Sequence, residues 1–327
     1  MKTKWFMTLL LCFGLVSFLM GETNTPIVDL RMSGVCYGPF REGQGPDKNI
    51  FPSKEDIEAD IIFLATKTKS IRTYNTGKAM ESVPSICDKS EIGLYMGIWI
   101  GKDKDANSNE VERGISLALE KHKSIKGLIV GSETLLRKDL SVDELTSYIK
   151  DVKAKTGLPV TTAEVADCFL KNPELVESLD FLFLHVYPYW AGVSVENGCS
   201  YTFRIYDGLL QKFPGKEIII GETGWPTEGN QIGRAIPSNE NQAKYFKEFT
   251  CIASSNKVSY YYFEAFDESW KENHEGKVGA HWGIWDSSGM PKVGIKELIT
   301  TNGPLSILRH GYQAPPKLNC LDSGLPF

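Results

Sequence analysis

The sequence of 327 residues has no block of basic residues and only five histidines. Thirty-six lysines and arginines against 41 aspartates and glutamates leave a formal net charge of −5, which argues against a nucleic-acid partner. None of the cysteines is paired with a histidine at a metal-ligand spacing. A zinc hydrolase is therefore disfavoured, and we expect neither a metal nor a cofactor.

Long apolar runs are also absent, apart from one near the N-terminus. Lys2 and Lys4 precede the apolar residues 9–16, and the run ends near Gly21. A membrane span needs about 20 apolar residues, so a basic start and a short apolar run favour a secretory signal over residues 1–21. An uncleaved anchor remains the alternative. We expect a protein that is secreted, periplasmic or at the cell surface, and a monomer is the default assumption.

Cysteine is present without a clear disulfide framework. Removing Cys12 with the signal leaves an even number at wide, irregular spacings: Cys36, Cys87, Cys168, Cys199, Cys251 and Cys320. In an exported chain six cysteines permit up to three disulfides, with 15 possible connectivities. We favour buried or partly oxidised structural cysteines.

What the sequence does contain is a regular alternation of two kinds of segment. Short apolar, β-branched stretches alternate with longer amphipathic ones that have helix-start signals, such as Ser53 and Ser141 followed by acidic residues. The short stretches are residues 32–37, 70–74, 93–100, 125–131, 158–163, 181–187, 217–221 and 259–263. Eight such units predict a single-domain (β/α)8 TIM barrel over residues 22–303, with an irregular tail over 304–327. A doubly wound open sheet is the alternative, but no G-x-G-x-x-G follows the first stretch.

In such a barrel, chemistry belongs at the C-terminal ends of the strands. The residues there are mainly carboxylates and aromatics: Tyr37, Tyr74, Asn75, Glu133, Glu164, His185, Tyr187, Tyr189, Glu222, Trp225, Glu264, Asp267, Glu268, Trp270 and Lys271. Strand six offers no lysine for a Schiff base, and no glycine-rich phosphate loop follows strands seven and eight. An aldolase and a phosphate-binding barrel are therefore disfavoured.

Two glutamates stand out because each follows an apolar run at a strand end. Glu222 comes after residues 218–220, all isoleucine, and Glu133 after residues 128–130. Placing a charged group directly after a buried strand costs free energy, so such a residue is expected to serve a function. Two carboxylates that flank one bond are what glycosidic cleavage requires, and aromatic side chains bind the faces of sugar rings. The set favours a retaining glycosidase, whereas Glu164 and Glu264 fit a structural role at least as well.

Several of these stretches resemble family 17 of the glycoside hydrolases. Residues 221–226, GETGWP, match the family's nucleophile motif, and residues 130–133, VGSE, occupy its acid/base motif. Residues 34–41, 71–74, 185–189, 263–271 and 281–284 are similar to other strand-end segments of the family, in the same order. The resemblance implies an enzyme that retains anomeric configuration while acting on β-1,3-glucan.

The resemblance also assigns roles to individual residues. Glu222 would be the nucleophile and Glu133 the general acid/base. Glu268 and Lys271 would support the site at the family's E-x-x-K spacing. The sugar-binding walls would be formed by Tyr37, Tyr74, Tyr187 and Trp270, with Trp225 beside them.

Ser132 departs from the family pattern, which has asparagine before the acid/base. The asparagine is expected to hydrogen-bond the sugar 2-hydroxyl, and losing such a contact costs roughly 2–4 kcal/mol of transition-state stabilisation. The sequence leaves two alternatives to a hydrolase. One is a β-1,3-glucanosyltransferase with the same two carboxylates, and the other is a glucan-binding barrel with weak turnover.

Overall fold

In the computed structural model, which describes residues 29, 31–299 and 303–309, eight parallel strands close into a barrel. The strands are β1 (Val35–Cys36), β2 (Ser70–Arg72), β3 (Gly93–Ile98), β4 (Ile125–Ser132), β5 (Val160–Val165), β6 (Leu182–His185), β7 (Ile218–Thr223) and β8 (Tyr260–Tyr262). Each strand pairs with the next, and β1 also pairs with β8, Val35 lying opposite both Ile71 and Tyr262. The predicted TIM barrel is confirmed.

Every predicted strand segment overlaps an observed strand, although the ends differ by up to three residues. The differences fall mostly at the C-terminal mouth. Tyr74, Ile100 and Tyr187 were predicted within strands, but they lie beyond the last paired residue and belong to the loops that form the cleft. Tyr74 and Tyr187 line the cleft, whereas Ile100 is fully buried.

Helices lie between the strands as the capping residues predict. They are α1 (Lys54–Ala65), α2 (Val83–Lys89), α3 (Lys104–Leu119), α4 (Val142–Thr156), α5 (Ala166–Lys171), α6 (Pro173–Ser178), α7 (Val195–Lys212), α8 (Asn239–Ser255) and α9 (Glu272–Glu275). Short 3-10 turns cover Lys78–Ser82, Ser269–Lys271 and Lys277–Ala280. Ser53 and Ser141 each form a complete capping box, and α4 ends at Gly157 in the left-handed conformation.

The barrel interior is filled by aromatic side chains. Phe183 of β6 lies 5.6 Å from the ring of Tyr95 and 5.3 Å from that of Tyr261, measured between centroids. All six residues of β7 are buried, which explains the run of isoleucines there. Gly221 has no side chain because a Cβ at this position would overlap the ring of Phe183.

Several sequence predictions concern the ends of the chain and the cysteines. The five described cysteines, Cys36, Cys87, Cys168, Cys199 and Cys251, are all free. The proposed signal over residues 1–21 and Cys320 lie outside the described residues. Within the described part, no helix has the length and apolar character of a membrane span. Of the predicted tail over 304–327, residues 304–309 are described, and they contain neither helix nor strand.

Replacing Gly221 by alanine should destabilise the barrel. The new methyl group would meet the ring of Phe183, which neighbouring aromatic rings hold in place, so we expect a loss of about 1–3 kcal/mol in the free energy of unfolding. Gly208→Ala in α7 is the matched control, because nothing lies within 4 Å of its added Cβ, and it should stabilise the protein slightly. Urea unfolding measures both changes. Equal effects of the two substitutions would contradict this account of the packing.

Candidate active site

A cleft of about 1320 Å³ opens at the C-terminal mouth of the barrel. Nine of the ten residues selected from the sequence as site residues line it: Tyr37, Tyr74, Ser132, Glu133, Tyr187, Glu222, Glu268, Trp270 and Lys271. They come from strands one, two, four, six, seven and eight and from the loops that follow these strands. Closing the barrel is therefore what brings together residues that are far apart in the sequence.

Glu133 and Glu222 face each other across the floor of this cleft. His185, at the end of β6, lies between them: its Nδ1 is 2.8 Å from Oε1 of Glu133 and 3.2 Å from Oε2 of Glu222. One oxygen of each carboxylate and a ring nitrogen of His185 all lie within 4.8 Å of one another. Since both neighbours of Nδ1 are carboxylates, the ring nitrogen that faces them carries the proton.

Glu222 is held by more donors than a surface carboxylate would have. Its side chain is almost completely buried, and Arg72 forms a salt bridge and hydrogen bond to Oε1. The hydroxyl of Tyr74 donates to Oε1 over 2.9 Å, and that of Tyr187 donates to Oε2 over 2.6 Å. Hydrogen bonds from several groups leave this carboxylate with little rotational freedom and a fixed position in the floor of the cleft.

The same partners set the protonation state of Glu222. Burial alone would raise the pKa of its carboxyl group. The charges of His185 and Arg72 and the hydroxyls of Tyr187 and Tyr74 more than offset burial, so the pKa lies below the ordinary value of 4.5. Glu222 is therefore an anion at neutral pH, as a nucleophile must be.

Glu133 occupies a different environment at the end of β4. Its side chain is 27% exposed, and its backbone has a φ of 55°, in the left-handed region that non-glycine residues seldom adopt. Its N–H donates to Ala163 over 2.7 Å, and its carbonyl accepts from Arg137 over 2.9 Å. These bonds hold the strained backbone, and strain of this kind occurs often at functional sites.

Glu164, which the sequence left between a catalytic and a structural role, supports the loop after Glu133. It is fully buried, and its carboxylate accepts from the backbone N–H of Leu135 over 2.7 Å and of Leu136 over 3.4 Å. It does not line the cleft. Its contacts are therefore those of a residue that orders the loop beside Glu133.

Ser132 lies beside Glu133 and is connected to Glu222 through Arg72. Its hydroxyl oxygen accepts from Nη2 of Arg72 over 2.8 Å, while the other terminal nitrogen, Nη1, contacts Glu222. Because the oxygen accepts this bond, the serine proton remains available to a hydroxyl group in the cleft. Ser132 thus joins the hydrogen-bonding network of the site even though it is shorter than asparagine.

Strand eight and the turn after it bring a second charged group to the cleft. Lys271 forms buried ion pairs with Glu264 and with Glu268, the latter at 2.8 Å. Burial raises the pKa of Glu264, although the charge of Lys271 acts in the opposite direction. Glu268 also accepts from the backbone N–H of Phe40 over 3.1 Å. The E-x-x-K pair therefore joins strand eight to the loop after strand one.

Aromatic side chains form the walls of the cleft. Trp270 packs edge-on against Phe40 with centroids 5.7 Å apart, and Tyr187 packs against Trp282 at 5.3 Å. Trp99 and Trp190 line the cleft as well, and they are 41% and 43% exposed. Partly exposed indole rings of this kind are suited to contact the apolar faces of sugar rings.

Two expected wall residues are placed differently from the prediction. Trp225 does not line the cleft: it is fully buried, and its indole N–H donates to the carbonyl of Ile236 over 3.0 Å. It packs behind the wall because the strand-seven turn points it towards α8. Tyr37 borders the cleft but is fully buried, with its hydroxyl donating to Asp60 over 3.0 Å. That hydroxyl is directed away from any ligand.

Glu133, His185 and Glu222 have the spacing of a possible metal site. Two observations argue against that use. Arg72 already contacts one oxygen of Glu222, and a guanidinium beside the carboxylate repels a divalent cation. The hydroxyls of Tyr74 and Tyr187 also donate to the carboxylate oxygens that a metal would need. The cluster fits acid/base and nucleophilic chemistry better than metal binding.

Arg72 has no role assigned from the sequence, and His185 is placed there only at the end of strand six. The sequence did contain a signal for Arg72, because an arginine stands inside the strand predicted over residues 70–74. In the structure its neighbours Ile71 and Thr73 are also buried. A buried arginine requires a buried anion, and only the closed barrel identifies that anion as Glu222. Trp99 was also missed, because it falls inside the strand predicted over residues 93–100, whereas β3 ends at Ile98.

Comparison with known proteins agrees with this geometry. Residues 34–283 match the family model of the BtgE/BtgC glycoside hydrolase domain. A probable glucan endo-1,3-beta-glucosidase btgC of Aspergillus terreus is 30% identical over 84% of this chain, which spans 46% of that relative's length. A glucan 1,3-beta-glucosidase of Saccharomyces cerevisiae is 28% identical over 81% of this chain and 92% of that protein.

Comparison with solved structures also finds similarity to glycoside hydrolases. The crystal structure of a glycoside hydrolase family 17 beta-1,3-glucanosyltransferase from Rhizomucor miehei is 31% identical. The match covers 80% of this chain and 96% of that one, with a TM-score of 0.71. The fold and the paired carboxylates define a glycoside hydrolase barrel. Within that class, the chain belongs to glycoside hydrolase family 17.

Tyr187→Phe tests the origin of the lowered pKa of Glu222. Removing a hydroxyl that donates to the charged carboxylate should raise this pKa, because the anionic form loses a hydrogen bond that stabilises it. Carbon-13 NMR titration of labelled glutamate, with Glu222→Gln for assignment, measures the midpoint. Tyr189→Phe is the control, because its hydroxyl donates to Asn230. The explanation is wrong if the Glu222 midpoint is unchanged in Tyr187→Phe or rises equally in both variants.

Proposed function

We propose that this protein is a retaining glycoside hydrolase that acts on β-1,3-glucan through a covalent glycosyl-enzyme intermediate. Glu222 is the nucleophile and Glu133 the general acid/base. The observation that carries the proposal is the pair of carboxylates whose nearer oxygens lie within 4.8 Å of each other on the floor of an aromatic cleft. Retaining enzymes place these groups about 5–5.5 Å apart, whereas inverting enzymes need about 6.5–9.5 Å to admit a water molecule.

The environments of the two carboxylates support their different roles. Glu222 is buried and has a lowered pKa, so it remains an anion and can attack the anomeric carbon. Glu133 is more exposed, and when protonated it gives its proton to the leaving glycosidic oxygen. After the leaving group departs, Glu133 takes a proton from a water molecule, which attacks the anomeric carbon and releases Glu222. Two displacements at one carbon retain its configuration.

The substrate class follows from the relatives and from the shape of the cleft. The relatives of Aspergillus terreus and Saccharomyces cerevisiae are named for 1,3-beta-glucosidase activity. The Rhizomucor miehei glucanosyltransferase has been solved with laminaritriose, and it is 31% identical to this chain. Trp99, Trp190 and Trp270 in the cleft are suited to stack on successive sugar rings. We therefore propose β-1,3-glucan as the ligand.

Transfer to another glucan is the second candidate reaction. The Rhizomucor miehei relatives are named as glucanosyltransferases, and both reactions use the same covalent intermediate. The difference is whether water or a sugar hydroxyl takes the glycosyl group from Glu222.

The proposal of an exported enzyme rests on the basic and apolar N-terminal residues, and the location at the cell surface or outside the cell follows from it.

Removing the nucleophile gives the sharpest test of the assigned roles. Glu222→Ala should lose activity by at least about 10³-fold, because no covalent intermediate can form. Azide should restore turnover by entering the space left by the side chain, and the product should be an α-glycosyl azide. Proton NMR of the product reads its configuration. The two roles would be reversed if azide rescued Glu133→Ala and gave the α-glycosyl azide, while Glu222→Ala was not rescued.

Product lengths separate hydrolysis from transfer. We expect incubation with linear β-1,3-gluco-oligosaccharides to give products that are only shorter than the substrate, as read by mass spectrometry. Longer products would show glucanosyl transfer instead. Binding of laminarin without any release that depends on Glu133 and Glu222 would support the remaining alternative, a glucan-binding barrel in which Ser132 has cost turnover. Glu133→Gln is the matched control for background release.

A further inference from the structure

A buried cluster of charges lies behind the strand-one wall of the cleft. Its centre is Asp60 of α1, a fully buried carboxylate. Tyr37 donates its hydroxyl to Oδ2 of Asp60 over 3.0 Å, and Nη2 of Arg41 donates to Oδ1 over 3.2 Å. The third partner is Arg309, which is far from the others in the sequence and belongs to the segment 303–309.

Arg309 binds Asp60 at two points. Its Nε donates to Oδ1 over 3.2 Å and its Nη2 donates to Oδ2 over 3.0 Å. The side chains of both residues are fully buried, and the guanidinium lies 4.0 Å from the centroid of Phe266. A bidentate arginine–carboxylate pair has fixed geometry, so Arg309 defines the orientation of Asp60.

The segment that carries Arg309 is hydrogen-bonded to the loop after strand eight. Ile307 donates its backbone N–H to Gly289 over 3.1 Å, and the indole N–H of Trp285 donates to the carbonyl of Leu305 over 2.9 Å. These contacts bring the segment to the barrel beside α1. Arg309 is therefore not a loosely placed surface residue but the inner end of a packed segment.

Arg309 also reaches the cleft loop directly. Its Nη2 donates to the carbonyl of Pro39 over 3.0 Å, and Nη1 of Arg41 donates to the same carbonyl over 3.1 Å. Pro39 and Phe40 line the cleft. On the cleft side, the N–H of Phe40 donates to Glu268, and the ring of Phe40 packs against Trp270. Residues 37–41 are thus held between the charge cluster and the site.

We infer that Arg309 is a positioning residue for the substrate-binding wall of the cleft. By fixing Asp60 and the Pro39 carbonyl, it holds the loop of residues 37–41 so that Phe40 and Trp270 present one continuous surface. The role of that surface in sugar binding rests on the proposed function. Through Arg309, the segment 303–309 takes part in substrate binding, although it lies far from the other cleft residues in the sequence.

Stability of Asp60 alone does not require Arg309. Arg41 and Tyr37 already contact this carboxylate, and Arg41 also pairs with Asp56 over 3.5 Å. Burial and the neighbouring charge of Arg309 lower the pKa of Arg41, while Asp60 acts in the opposite direction. The two guanidinium groups therefore repel each other. What Arg309 adds is its second set of contacts, to the Pro39 carbonyl on the cleft loop.

Arg309→Ala tests the inference in the full-length protein. Asp60 keeps Arg41 and Tyr37 as hydrogen-bonding partners without Arg309, so the variant should fold, with a melting temperature lower by about 5–10 °C. We expect KM for a β-1,3-gluco-oligosaccharide to rise about tenfold with kcat within about threefold, because no catalytic carboxylate contacts the loop. Arg309→Lys should give an intermediate KM, since one ammonium cannot reach both Asp60 oxygens and the Pro39 carbonyl.

Val152→Ala is the control for a general loss of stability. Val152 is a fully buried residue of α4 that makes none of these contacts, and its replacement should leave KM unchanged. An unchanged KM in Arg309→Ala, or an equal rise in Val152→Ala, would overturn the inference.

Hydrogen exchange gives a readout that does not depend on the substrate. In Arg309→Ala the Phe40 amide, which donates to Glu268, should exchange about ten times faster, while Val152→Ala should leave it unchanged relative to the remaining amides. Unaltered exchange of Phe40 in Arg309→Ala would contradict the positioning role. If the unmodified protein fails to act on β-1,3-glucan while Phe40 exchange still rises in Arg309→Ala, then the proposed function is wrong and the support of the loop stands.

Discussion

A carboxylate as buried as that of Glu222 needs a compensating positive charge, and Arg72 supplies it. The arginine is itself fully buried, so neither partner is stable in this place without the other. Strand two and strand seven are joined through this pair across the mouth of the barrel. The hydroxyls of Tyr74 and Tyr187 and the ring of His185 then fix the orientation of this carboxylate, which Arg72 keeps charged.

The second terminal nitrogen of Arg72 extends this arrangement to strand four. It donates to Ser132, the residue before Glu133, so one guanidinium contacts both Glu222 and the neighbour of Glu133. His185 makes a parallel connection from strand six, where a single ring nitrogen faces both carboxylates. The spacing between Glu133 and Glu222 is therefore held by two separate bridges, one cationic and one imidazole. A fixed spacing of this kind is what a double-displacement reaction requires.

The sequence predicts the barrel and both carboxylates because these features are local. A short apolar stretch followed by a charged residue is visible within ten residues, as it is for Ile218, Ile219 and Ile220 before Glu222. Contacts between residues that are far apart in the sequence produce no such local pattern. The role of Arg72 depends on a partner 150 positions away, and that of Arg309 on one 249 positions away. Trp225 was misplaced for the same reason: its position in the motif is local, but whether it faces the cleft or α8 depends on packing.

The stereochemistry of the first product tests the central claim most directly. Proton NMR of a β-1,3-gluco-oligosaccharide digest, recorded before mutarotation, shows which anomer is released. Two carboxylates with oxygens within 4.8 Å predict a double displacement and hence a β-anomer formed first. An α-anomer formed first would mean that water attacks the glycosidic carbon directly, and it would contradict the assignment of Glu222 as nucleophile.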